Sequence, residues 1–376
     1  MYLTGKGAGV SQRQKGIRII LVCVVLLASM ATVGCQPRQA FDDEVRTIVA
    51  PYRFSFLAWE ARHLLGIEQS QPMAAERMSA EQDGDSLEDT LKAQIREVLQ
   101  DMGIYNPLDP YINLNVSFPP IWFSLTESPY LLIISPRDRI ESFREVMLIQ
   151  NLGPAAREEI EQQVESLGFS ALVEPLGGFA GLYPSLVVQN GSFPFVVETV
   201  IHEWFHQYLA FTPLGFRYLL DVTGLAPDYD IATMNETAVS MVSREVSNRV
   251  LERYYPAYAP REDEQEPRER SPFSQHMRDT RLIIDILLAD GQIEEAEQFM
   301  EERRLDLVSQ GYQIRKLNQA YFAFYGTYAD EPDSISPIGM DLRKLRAESD
   351  STTDFLYRVM RMRSRENLRE AVEGPQ

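Results

Sequence analysis

Residues 202–206 read His-Glu-Trp-Phe-His, inside an apolar run that only a buried helix accommodates. Ser192 is a helix N-cap by type, and Pro194 falls in the first turn, where a missing N–H costs nothing. The run Phe193 to Phe211 then contains no glycine, and Pro213 with Gly215 stops it. Val196, Val197, Val200, Ile201, Trp204, Phe205, Tyr208 and Leu209 make the helix apolar almost all round, so it belongs in the middle of a domain. Histidines four apart project from one face of such a helix, where both imidazoles reach a single metal ion. Glu203 lies beside them, close enough to take a proton from water bound to that metal. The chain has only four histidines, His63, His202, His206 and His276, and the pentapeptide holds two of them. Two histidines and an acid at the centre of an apolar helix are costly unless something satisfies them. Glu198, one turn earlier, either orients a ligand or complements the positive helix N-terminus.

A catalytic zinc takes three protein ligands and keeps its fourth position for water. No third histidine follows at a short spacing, since His206 is succeeded by Gln-Tyr-Leu-Ala-Phe-Thr. The next helix, expected over Asp230 to Val250, carries Asn235-Glu236-Thr237-Ala238 in its first turns, and Glu236 is the expected third ligand of one Zn²⁺ per chain. Glu245 and Glu252 on the same helix are the reserve acids. Over residues 170–250 the chain resembles the gluzincin metallopeptidases, the group that contains thermolysin and the membrane alanyl aminopeptidases. In that group His-Glu-x-x-His on one helix is completed by a glutamate on a later one, often within Asn-Glu-x-x-Ala. Gln207 after the motif is similar to the His-Glu-x-x-His-Gln of the aminopeptidase branch. The chain departs from the group in the long segment 207–235, which Pro213-Leu-Gly215 and Pro227-Asp228 are expected to form into a loop. It departs also at Val239, where the alanine is expected.

The resemblance implies hydrolysis of a peptide or protein substrate, with His202, His206 and Glu236 on the zinc and Glu203 as general base. It also implies a tyrosine or histidine from the C-terminal region as oxyanion donor. Tyr321, Tyr325, Tyr328 and His276 are available, and Tyr321 is the first choice. It implies further a substrate-binding edge strand just before the motif helix. Gly177-Gly-Phe-Ala-Gly-Leu-Tyr-Pro184 lies there, and Gly178 and Gly181 would let a peptide backbone approach closely. This stretch lacks the glutamate by which the aminopeptidase branch anchors a free amine, so endo- and exopeptidase both stay open; Glu174 and Glu198 are the acids nearby. Arg217 and Arg244 are basic side chains available to a substrate carboxylate.

The N-terminus speaks to location. Lys6, Arg13, Lys15 and Arg18 form a basic region, followed by the apolar run Ile19 to Val33 and then Gly34-Cys35. That is the plan of a secretory signal, and Thr32-Val-Gly-Cys35 resembles a bacterial lipobox with Cys35 as the lipidated residue. An uncleaved signal anchor is the alternative. Either tethers the protein to a membrane outside the cytoplasm. The only other cysteine is Cys23, so no disulfide braces the mature domain and its core must hold it. Removing residues 1–34 moves the net charge from −19 to −23, and so acidic a surface argues against nucleic-acid binding.

The periodicities predict helices over Phe41–Gly66, Leu87–Met102, Arg157–Leu167, Asp279–Leu288 and Ile293–Leu307, the last two a hairpin turned at Asp290-Gly291. Strands are expected over Tyr111–Phe118, Ile121–Thr126, Tyr130–Ile134, Phe169–Val173 and Leu186–Gln189. Gln69 to Asp85 reads as a linker and Pro260 to Arg270 as a charged loop. The expected fold class is α+β and zincin-like: a small sheet packed on the active-site helix, then a mostly helical C-terminal lobe. The expected organisation is a signal or anchor over 1–34, a helix and linker over 35–86, a catalytic domain over 87–256 and a helical region over 257–376. A membrane-tethered zinc peptidase is the leading functional expectation. A zincin-fold lipoprotein that binds without catalysis is the alternative.

Overall fold

Two helices buried on nearly every face must lie side by side in the interior, and their packing arranges the rest. The computed structural model describes residues 36–55, 59, 86–112, 116–260 and 271–374. The expected signal, Cys35 and the 69–85 linker lie outside the described residues, as does 261–270. Among the described residues no helix is long and apolar enough to cross a membrane. The chain divides into two units, Met1–Thr47 and Ile48–Gln376. What is described of the first unit is helix, the larger part of α1 (Gln36–Val49).

The second unit is mixed α+β. It contains α2 (Leu87–Asp101), β1 (Phe123–Thr126), β2 (Tyr130–Pro136), β3 (Arg144–Leu148), α3 (Pro154–Glu165) and β4 (Phe169–Pro175). β5 (Gly178–Phe179), β6 (Ser185–Val188), α4 (Phe193–Leu209), α5 (Pro213–Val222) and α6 (Tyr229–Tyr254) follow. Six more helices close the chain: α7 (Pro272–Ala289), α8 (Ile293–Ser309), α9 (Gln319–Tyr325), α10 (Pro337–Ala347), α11 (Thr352–Val359) and α12 (Arg365–Glu373).

The strands form two three-stranded sheets. In one, β6 lies parallel to β1, with Phe123 opposite Ser185, and antiparallel to the edge strand β5. In the other, β2 is central and antiparallel to both β3 and β4. Helix α6, 26 residues long, is the spine: α2, α4, α5 and α10 to α12 all pack against it. Its core face is built from Ile231, Met234, Ala238, Val242, Val246 and Val250, all essentially inaccessible. Burying each such side chain contributes about 1.5–3 kcal/mol, which supplies stability without a disulfide. The main core also takes in Leu342, Leu345, Phe355 and Leu368 from the C-terminal helices.

Three expectations are corrected. The helix expected over Phe41–Gly66 is interrupted after Val49, because Pro51 denies the next turn its N–H; Arg53 is extended and bridges Leu148 on β3, while 56–58 and 60–66 lie outside the described residues. The alternation over Tyr111–Phe118 does not make a strand where it is described. Tyr111 and Ile112 close a turn on the Leu108 carbonyl, and Val116 to Phe118 are irregular. The expected loop after Pro213 is instead helix α5. Thr212 caps it by accepting from the Gly215 N–H at 3.3 Å, so the proline starts a helix as well as ending one. Gly215 permits the tight turn from α4 to α5, since a Cβ there would lie 1.9 Å from the Leu209 carbonyl oxygen.

Candidate metal centre

The 3.6-residue repeat of α4 stacks His202 and His206 one turn apart, and their Nε2 atoms are 3.0 Å apart. Helix α6 runs against α4 and brings Glu236 to them, with Oε2 at 3.4 Å from each Nε2. Residues separated by the whole of α5 thus converge. For tetrahedral zinc with bonds of about 2.0–2.1 Å, ligand atoms stand about 3.3–3.4 Å apart, so the observed triangle fits such an ion. His202, His206 and Glu236 are close enough to bind a metal ion.

The surroundings aim these atoms. His206 Nδ1 is 3.0 Å from Asn235 Oδ1. A carboxamide oxygen only accepts, so the imidazole carries its proton on Nδ1 and leaves the Nε2 lone pair for a metal. Glu236 Oε1 receives the Tyr218 hydroxyl at 2.5 Å, and the Tyr218 ring stacks on His206 at 5.5 Å between centroids. Glu236 Oε2, although buried, receives no well-directed hydrogen bond from any described residue. A buried carboxylate oxygen that faces the Nε2 atoms of two imidazoles and no lysine or arginine is a place for a cation.

Electrostatics agree. Burial lifts a carboxyl pKa, yet the two imidazoles hold Glu236 well below its ordinary value. Burial lowers His206, but Glu236 more than offsets it and pushes His206 up to about 9. Without a metal, therefore, the cluster gathers a proton to supply the positive charge it lacks.

Glu203 is 7% exposed and stands next to the cluster, under the glycine segment. A Cβ on Gly178 would come within 2.4 Å of Glu203 Oε1, so only glycine lets β5 cross the carboxylate. The Gln207 amide donates to the Ala180 and Leu182 carbonyls at 3.2 and 3.0 Å. The motif helix thus holds the Gly177–Tyr183 segment at two points. Burial, above all, raises the Glu203 pKa, with the histidines opposing. Gly181 is tight for another reason: a Cβ there would meet the Phe179 ring at 2.2 Å.

The other expected residues separate. Tyr321 is not at the cluster: it packs against Tyr325, with ring centroids 4.4 Å apart, and with Leu317 and Phe322, because helix α9 turns it toward the second sheet and α7. Of the tyrosines expected from the C-terminal region, the one beside the histidines is Tyr328, three residues past α9, its ring 6.2 Å from that of His202. Burial first, then the charges of Glu236 and Glu203, keep its phenol well above the ordinary range. His276 faces the Arg303 carbonyl on the α7–α8 hairpin. Glu245 is clasped by Arg346 at 2.8 and 2.9 Å, and Glu252 is exposed, so neither competes with Glu236. Arg217 pairs with Asp228, and Arg244 with Asp330 and Glu331. Glu174 lies 3.8 Å from Arg315.

Tyr218 was not anticipated. Its signals were Thr212 as a cap and Pro213 in the first turn, which together announce a helix whose inner face begins at Leu214 and returns at Tyr218. Comparison of the chain with protein-family models, with curated proteins and with solved structures gives no match.

Proposed function

We propose that the chain is a membrane-tethered, extracytoplasmic zinc peptidase with a zincin-like active site. One observation carries this reading. His202, His206 and Glu236 converge at tetrahedral ligand spacing beside a buried glutamate that has no cation of its own.

His202, His206 and Glu236 would hold the zinc. When bound, the ion supplies Lewis acidity that brings the pKa of a coordinated water toward neutrality and polarises a carbonyl. Glu203 takes the proton of the attacking water, a role that suits a carboxylate lifted by burial, and returns it to the leaving amine. Tyr328, rather than Tyr321, donates its hydroxyl to the substrate carbonyl oxygen as negative charge develops there. The edge strand β5 receives an extended peptide, with Gly178 and Gly181 leaving its approach open. The basic and apolar N-terminal segment ending at Cys35 supports a tether, by lipid or by an uncleaved anchor.

The test is elemental mass spectrometry of the purified chain beside the His202→Ala/His206→Ala variant, followed by peptide hydrolysis. One zinc per chain, lost in the variant, is expected. Glu203→Gln should retain zinc and lose hydrolysis by on the order of a thousandfold or more. Activity at the wild-type level in Glu203→Gln would sink the mechanism.

A further inference from the structure

Tyr328 sits on a short segment, and that segment is fastened along one stripe of α6. Thr237 uses its single hydroxyl twice: it donates to the Thr327 carbonyl at 3.0 Å and accepts from the Ala329 N–H at 2.9 Å. One fully buried side chain therefore holds both neighbours of Tyr328. Three residues further along α6, Ser240 donates to Asp330 Oδ2 at 3.2 Å. Arg244, one turn beyond, donates to the same oxygen at 2.9 Å and to Glu331 Oε1 at 2.9 Å. Positions 237, 240 and 244 share one face of a helix. A threonine inside a helix ordinarily returns its hydroxyl to the carbonyl four residues back, as Thr233 does to Tyr229 at 2.8 Å. Thr237 spends both bonds on another segment instead.

Glu236 immediately precedes Thr237, so a single turn of α6 supplies the cluster's carboxylate and the anchor of the phenol. We infer that Thr237 is a positioning residue: it fixes Tyr328 relative to His202 and Glu236, so that donor and metal ligands move as one body. The kinetic consequence rests on the peptidase reading; the placement of the phenol does not.

Thr237→Val keeps the side-chain shape and removes both bonds. With the fluorogenic peptide that the wild type cleaves fastest, kcat is expected to fall on the order of tenfold to a hundredfold, with KM and bound metal nearly unchanged. Thr237→Ser should recover most of the loss. In a Tyr328→Phe background Thr237→Val should add nothing further, and an additive loss would overturn the inference. A second readout needs no turnover. With 3-fluorotyrosine at position 328, the fluorine resonance should shift and broaden in Thr237→Val, and the Ala329 amide should lose exchange protection. An unchanged fluorine line overturns the placement whether or not any peptide is cleaved. If the wild type cleaves none, the peptidase reading fails and the fluorine spectrum alone decides. Should Thr237→Val not fold, Asp330→Ala, which removes the acceptor of Ser240 and Arg244, releases the same segment from its far end and is judged by the same fluorine and kinetic criteria.

Discussion

Glu161 and Glu236 are both carboxylates withdrawn from water, and the molecule satisfies them in opposite ways. Glu161, 1% exposed, accepts from Arg315 at 2.7 and 2.6 Å, from Lys316 at 3.2 Å and from the Val173 N–H at 2.7 Å. Its charge is met by two permanent cations, and the result ties α3 to β4 and to the segment before α9. Glu236 has the Tyr218 hydroxyl on one oxygen and two imidazoles facing the other, none of which carries a permanent charge. A structural acid brings its counter-charge with it through the sequence. An acid placed to bind a metal leaves that charge to come from outside, and the groups that hold it in place are neutral.

The largest effect should come from removing the acid that lacks a cation. Glu236→Ala is expected to abolish tight zinc binding, and so the thermal shift that zinc gives the wild type. At a thousandfold excess over Kd that shift corresponds to about 4 kcal/mol. If calorimetry shows zinc stabilising both proteins equally, Glu236 is not a ligand. Glu161→Ala should do the converse. It should cost about 3 kcal/mol in metal-free buffer, by removing the buried acid that Arg315, Lys316 and the Val173 N–H share, and leave zinc affinity untouched. A loss below ~1 kcal/mol would mean that the two cations find water readily and that the contrast is one of geometry alone.

Tyr218→Phe sharpens the comparison, because it removes only the neutral support of Glu236. Competition with a chromogenic chelator should show zinc affinity down by about ten- to a hundredfold, with the fold intact. The smallest effect is in pH. Because His206 is pushed up to about 9 without a metal, zinc must displace its proton. Affinity should then rise about tenfold per pH unit up to that point and level off above it. The same raised pKa gives the metal-free protein stability that is complete below the ordinary histidine pKa and is lost as pH rises through about 9. Titration calorimetry at pH 7 in buffers of different ionisation enthalpy should register about one proton released per zinc. Release of none would place His206 neutral before binding.

Local signals carried far where the physics is local. Helix α4 begins at Phe193 as expected, and its end differs by two residues, because capping, proline and an apolar run all act within a turn or two. The hairpin of α7 and α8 turns at Asp290-Gly291, where Gly291 has φ +74°, a conformation that glycine adopts without strain. Strand β3 was not legible, since Arg144-Glu145-Val146-Met147-Leu148 has neither clean alternation nor an apolar run; its pairing with β2 makes it a strand. β5 is two residues long and exists only through β6.

By itself the sequence determined that His202 and His206 share a helix face beside Glu203 and that an Asn-Glu pair opens a later helix, because these are matters of spacing along one chain. Tertiary structure decided which acid met the histidines, since Glu236, Glu245 and Glu252 are separated along α6 and point in different directions, and only the turn of Glu236 lies against His202 and His206. It also decided that Tyr328, and not Tyr321, lies beside His202. The two lie seven residues apart, about two helical turns had α9 continued. But α9 ends at Tyr325, and the segment beyond it is drawn onto Thr237, Ser240 and Arg244 of a helix some ninety residues earlier in the chain. No periodicity encodes that contact, because it depends on two distant surfaces meeting.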